Sequence, residues 1–170
     1  VISNNGSFAQ GFAAHAHRKQ LYGASPYMVH VGEVVAIIKA SGHGRDKVLD
    51  AAWLHDVLED TDTTRHEIGA VFDPFVVDWV WAVTGTGNTR KERNQSIYHK
   101  CKDYAEPTLI KLADRLANVR HATEHRQHSF LKMYKKESIE FTNALRNDSM
   151  VLLRPLWDEL EAITRLGEEP

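Results

Sequence analysis

Ionisable side chains crowd one end of an otherwise apolar stretch, AAWLHDVLEDTDTT at 51–64. His55 and Asp56 are adjacent, and Glu59 and Asp60 follow. On a helix Glu59 falls one turn from His55 and Asp56, and Asp60 one turn from Asp56. Three carboxylates so placed repel one another, and each resists ionisation. A bound cation removes that conflict, and imidazole with carboxylate is a suitable ligand set for it. Two more polar residues interrupt apolar surroundings. Asp114 lies in KLADRLANVR (111–120), between Ala113 and Ala117, with Asn118 one turn further on the same face. His30 lies in SPYMVHVGEVV. Singly, each has an ordinary reading: a hydrogen-bonded histidine, solvated acids at a helix end, an aspartate paired with Arg115 or Arg120. Together they bring two histidines and two aspartates from three separate helices, with two spare acids beside them, a combination that chance does not readily give.

The elements that must position these groups are helical. Strand signals are weak, and apolar residues recur at helical spacing. A first helix fits 7–20, with Phe8, Phe12 and His15 or Ala16 on one face, and LYGASPY breaks it at Gly23 and Pro26. A second fits 27–41 (Val31, Val34, Val35, Ile38) and a third 45–59 (Val48, Ala51, Leu54, Val57). DTDTT at 60–64 reads as a loop capping a short helix at 65–71. Pro74 opens a helix over 74–83 carrying Phe75, Val76, Trp79, Val80 and Val83. After the loop TGTGNT, helices fit 90–103, 107–124, 128–146 and 149–165. The expectation is an all-α, compact single-domain bundle of about nine helices spanning 1–170.

Gross composition excludes several classes. The chain has 170 residues, which suits one domain. A net charge of −2 leaves no basic field for nucleic acid. No apolar run is long enough to span a membrane, and residues 1–17 have no signal-peptide pattern; a first residue of valine is compatible with a trimmed end. The single cysteine, Cys101, forbids an intramolecular disulfide and suits a reducing, cytoplasmic setting. Nothing around it marks a nucleophile.

The pattern resembles a known family. His30, His55-Asp56 and Asp114 match the H…HD…D signature of the HD superfamily of metal-dependent phosphohydrolases. The similarity is closer to the hydrolase domain of RelA/SpoT-type alarmone enzymes and to the stand-alone small alarmone hydrolases. It is carried by HRKQ with SPYMVH (17–30), AAWLHDVLEDTDTT (51–64), TGTGNTRKERN (84–94) and KLADRLANVR (111–120), with a looser YKKESIEF at 134–141. The resemblance implies an HD-domain helical bundle in which His30, His55, Asp56 and Asp114 bind one divalent ion, usually manganese. It further implies that Glu59 and Asp60 act on the attacking water, that Arg18 lies beside the metal and substrate, and that Asn118 contacts the nucleotide. The implied reaction removes the 3′-pyrophosphate of (p)ppGpp, giving GDP or GTP.

Such a substrate needs cations. Arg90, Lys91 and Arg93 follow a Gly-rich loop at a helix start, a place suited to phosphate and equally to a solvated basic face. Lys19, Arg120, Lys135 and Lys136 are further candidates. The chain departs from the family where an Arg/Lys pair often serves the substrate: Leu21 and Tyr22 stand there, and Tyr22 has a ring that can stack on a base. Val31 replaces a proline common after the metal-binding histidine. The leading expectation is therefore a stand-alone guanosine-alarmone hydrolase. The alternatives are an HD hydrolase of another nucleotide (an adenosine alarmone, NADPH or a nucleoside monophosphate), a non-catalytic nucleotide sensor, or an antitoxin-like partner.

Overall fold

The computed structural model describes residues 5–166. Among them run ten α-helices: α1 (Asn5–Ala16), α2 (Met28–Ala40), α3 (Asp46–Leu54), α4 (Val57–Asp60), α5 (Arg65–Gly69), α6 (Pro74–Val83), α7 (Arg90–Cys101), α8 (Ala105–Glu124), α9 (His128–Leu145) and α10 (Arg154–Leu166). A 3-10 turn at Val151–Leu153 precedes α10. The all-helical expectation holds, with differences that bear on the site. The helix expected over 45–59 is two helices, because α3 stops at Leu54 and α4 restarts at Val57. Asp56 sits between them at φ −104°, ψ −2°, in the sparsely populated bridge region. The chain therefore turns at the His-Asp pair.

The first helix is shorter than its pattern promised. It ends at Ala16, and Leu21–Tyr22 then pairs antiparallel with Ser25–Pro26 as a small hairpin, β1 and β2. Gly23 turns it at φ +62°, a conformation that favours glycine. The inner face of α1 is Ala9 and Ala13, which let it lie close on α3. Phe8, expected on that face, is 54% exposed and packs with Phe12 on the Phe72 ring. Phe75 is likewise exposed rather than core.

Helix starts follow the sequence closely. Thr64 and Thr89 close capping boxes with Glu67 and Glu92. Asp73 accepts the Phe75 N–H, with Pro74 in the first turn of α6. Helix α8 is the axis of the bundle and packs on α2, α3, α6, α7, α9 and α10. Leu109, Ile110, Leu112, Leu116 and Val119 are buried along it and meet Val31, Val34, Val35 and Ile38 of α2 in one continuous core. Cys101 is buried at the end of α7, where desolvation pushes its thiol up to about 12 and makes it inert at neutral pH.

Because Leu116 is fully buried in the axial helix, Leu116→Ala should lower unfolding stability by about 2–5 kcal/mol. Urea denaturation followed by circular dichroism checks this, and an unchanged midpoint would mean that α8 is not the packing axis.

Candidate active site

Three elements deliver the four groups expected to bind metal. His30 comes from the first turn of α2, His55 and Asp56 from the break between α3 and α4, and Asp114 from the middle of α8. Both histidines and Asp114 are buried, and Asp56 is partly buried. Asp56 Oδ2 lies 2.9 Å from His55 Nε2 and 3.8 Å from His30 Nε2. Asp114 Oδ1 lies 3.2 Å from His30 Nε2 and 4.0 Å from His55 Nε2. Ligands at about 2.0–2.2 Å from one ion stand roughly 3 Å apart as neighbours and roughly 4 Å apart when opposite, so these separations fit a single centre. Candidate ligand atoms of His30, His55 and Asp56 all fall within 4.8 Å of one another.

The donor set also fits an ion better than it fits itself. His55 Nδ1 bonds the Ala52 carbonyl at 2.8 Å, which turns Nε2 into the cluster. Nε2 is buried and has no hydrogen-bond partner, although a carboxylate oxygen is 2.9 Å away. A lone pair aimed at a shared point is what a metal ligand presents. Electrostatics agree. Burial disfavours charge on His55, but Asp56 and Asp114 outweigh it and raise the imidazole to about 9. Against the same cost of burial, His55 holds Asp56 well below the usual carboxylate range, and Lys111 and His30 do so for Asp114. The cluster demands positive charge, and a divalent cation supplies it.

Around this centre the expected catalytic acids take separate positions. Glu59 Oε2 accepts the Gly85 N–H at 2.8 Å, and Oε1 lies 3.5 Å from Arg93 Nε. Burial raises its carboxyl above the ordinary glutamate value, partly offset by the Gly85 bond. Asp60 Oδ2 accepts from Gln20 Nε2 at 2.9 Å. Glu59 lines two cavities. The larger, about 980 Å³, is also lined by Asp60, Asp62, Arg18 and Lys19. The smaller, about 120 Å³, joins Glu59 and Asp114 to Arg90, Arg93, Lys111 and Arg115.

Other expected residues divide. Arg90 is at the smaller cavity, held by a two-pronged bond to Glu137, whereas Lys91 is exposed and lines neither cavity. Arg120 is engaged by Glu33 and Glu159, away from the cluster. Asn118 is turned inward: Nδ2 donates to the Asp114 carbonyl (3.0 Å) and Oδ1 (2.7 Å), and its own Oδ1 accepts from Tyr22 Oη (2.9 Å). Asp114 pairs with Lys111 at 2.8 Å, rather than with Arg115 or Arg120.

Three contributors escape sequence reasoning. Tyr27 donates to Asp56 Oδ2, and only its position just before α2 hints at this. Lys111 is one turn before Asp114, a spacing that could have been noticed. Glu137, from α9, binds both Arg90 and Arg115, and no local signal reaches it from so far along the chain.

The family model described as HD domain matches residues 9–140, which include all four residues of the cluster. The chain belongs to the HD domain family. Two relatives are named guanosine-3′,5′-bis(diphosphate) 3′-pyrophosphohydrolase. The one from Drosophila melanogaster is 33% identical over 149 residues, covering 78% of this chain and 83% of the relative. The one from Danio rerio is 37% identical over 115 residues and covers 64% of each. The chain thus spans just under two thirds of the Danio protein's length. A solved structure described as a metazoan ortholog of SpoT that hydrolyzes ppGpp superposes with a TM-score of 0.78 at 27% identity, covering 99% of this chain and 98% of that one.

In this HD domain Asp56 and Asp114 raise the His55 imidazole to about 9, so ion uptake near neutrality should displace a proton from it. Affinity for a divalent ion should therefore rise with pH and level off above about 9. Calorimetry in buffers of different ionisation enthalpy should detect proton release near neutrality; a flat profile without release would remove His55 from the ligand set.

Proposed function

We propose that the chain is a metal-dependent pyrophosphohydrolase that removes the 3′-pyrophosphate of a guanosine alarmone of the (p)ppGpp type, yielding GDP or GTP and pyrophosphate. The observation that carries this reading is the smaller cavity. A carboxylate from α4 and a carboxylate of the His/Asp cluster share it with four cationic side chains, Arg90, Arg93, Lys111 and Arg115. Phosphoryl transfer asks for positioning and charge neutralisation more than covalent chemistry, and this lining offers both. The names of the two relatives and of the structural neighbour support the choice of substrate. We read the described residues, with their one continuous core, as a single hydrolase unit.

His30, His55, Asp56 and Asp114 are the groups that would hold the ion. Two imidazoles and two carboxylates suit several borderline divalent ions, and manganese, implied by the family resemblance, is our working cofactor. A bound divalent ion supplies positive charge and Lewis acidity at the reacting phosphorus. Glu59 takes the proton from the attacking water, and its raised carboxyl is better matched to that task than an ordinary glutamate. Asp60 helps to orient the water. Arg90 and the cations beside it bind the polyphosphate, and Arg18 and Lys19 flank it from the larger cavity.

One observation favours a second reading, hydrolysis of a different nucleotide phosphate. Tyr22 stands where a basic pair often serves the substrate, and its hydroxyl occupies the Asn118 oxygen.

Metal-stripped protein should release GDP and pyrophosphate from ppGpp only when Mn²⁺ is restored. Glu59→Gln should keep its metal while losing about 10²–10⁴-fold in kcat. No turnover of ppGpp by metal-loaded protein, with turnover of another nucleotide, would replace the substrate; wild-type rates in the variant would remove Glu59 from the mechanism.

A further inference from the structure

His17 is buried, at 3% exposure, just after α1, and lies outside every role assigned above. Its Nδ1 is 2.7 Å from Gln20 Oε1. Gln20 in turn donates from Nε2 to Asp60 Oδ2 at 2.9 Å. The direction of this chain follows from what each atom can do. An ionised Asp60 only accepts, so Gln20 must present its nitrogen there. Its oxygen then faces His17, and because an amide oxygen only accepts, Nδ1 must carry the proton. Nε2, the other ring nitrogen, is buried with no hydrogen-bond partner. A buried polar atom left unpaired costs stability, so this histidine is a poor choice for packing alone. Its ring lies 4.8 Å from that of Tyr27, whose hydroxyl reaches Asp56.

We propose that His17 and Gln20 are positioning residues that fix the orientation of Asp60. The inference rests on the reading of Asp60 as part of the hydrolytic site. His17 sets which way the Gln20 amide faces. Gln20 ties down Oδ2 of Asp60, which leaves Oδ1 free at a residue lining the larger cavity. The main chain supports the arrangement: Gln20 N donates to the His17 carbonyl (2.8 Å), and the Gln20 carbonyl accepts from Tyr27 N (3.1 Å) across the base of the hairpin. Gln20 is thus held at both ends of its residue while its side chain spans from His17 to Asp60. The Gln20–Asp60 bond is exposed and adds little to folding. Its effect is on geometry, where a small misplacement of a reacting group is expensive in rate.

The test compares His17→Leu with His17→Asn, whose amide nitrogen stands about where Nδ1 does and keeps the donor. With ppGpp and Mn²⁺, His17→Leu should lower kcat about tenfold or more with KM little changed and a melting temperature equal to or above wild type. His17→Asn should recover most of the rate. Wild-type kcat in His17→Leu, or a loss in His17→Asn as large as in His17→Leu, would overturn the proposal. Turnover by the wild-type protein reports separately on the proposed function. A second readout needs no substrate: long-range ¹H–¹⁵N spectra of the protein loaded with diamagnetic Zn²⁺ should show His17 protonated at Nδ1, and an Nε2-protonated ring would overturn the proposal even in an inactive protein.

Discussion

Two aspartates and two histidines lie buried against one another at the centre of this helical bundle, and they can stay there only with positive charge among them. An unpaired ion taken out of water costs several kcal/mol. Asp56 and Asp114 meet that constraint with imidazoles at 2.9–4.0 Å and with Lys111 on the outer oxygen of Asp114. Lys111 is itself held in its charged form by Asp114 and Asp56 despite its burial. The buried His55 nitrogen faces both carboxylates, at 2.9 Å from Asp56 and 4.0 Å from Asp114, and a cation held between them would satisfy all three groups at once.

The rest of the architecture can be understood as what brings these groups to one point. Helix α8 supplies Asp114 because its other inward positions are apolar and lock it against α2, which carries His30. The break after Leu54 lets His55 and Asp56 both face inward, whereas consecutive residues of an unbroken helix would diverge by about 100°. The same break aims α4, so that Glu59 reaches Gly85 and Arg93 while Asp60 meets Gln20 on another side. One short segment thus carries both the proposed metal ligands and the proposed catalytic acids. Tyr27 and Asn118 then restrain the same oxygens of Asp56 and Asp114 that face the imidazoles.

Much of this was legible in the sequence, for identifiable reasons. Asp114 stands out because a lone acid in an apolar helix needs a purpose, and His55-Asp56 because adjacent ionisable residues end an apolar face. The cap within DTDTT and the place of Pro74 in the first turn of α6 were readable because their chemistry is local. The break at 55–56 was not, since VLED has good helical propensity and tertiary packing decides the outcome. A hairpin with two residues in each strand is too short for any periodicity to reveal. The faces of α1 and α6 were misjudged at Phe8 and Phe75 because large apolar residues dominate a pattern, whereas close helix contact is made here by Ala9 and Ala13. The partnership of Glu137 with Arg90 and Arg115 depends on how α9 crosses α7 and α8, which no local spacing encodes.

Crystals grown with Mn²⁺ and measured for anomalous scattering would show whether His30, His55, Asp56 and Asp114 share one cation. One strong peak per chain is expected, about 2.0–2.3 Å from Nε2 of both His30 and His55 and from a carboxylate oxygen of both Asp56 and Asp114. A peak at Glu59, Asp60 and Asp62 instead, or none with all four residues in place, would contradict it.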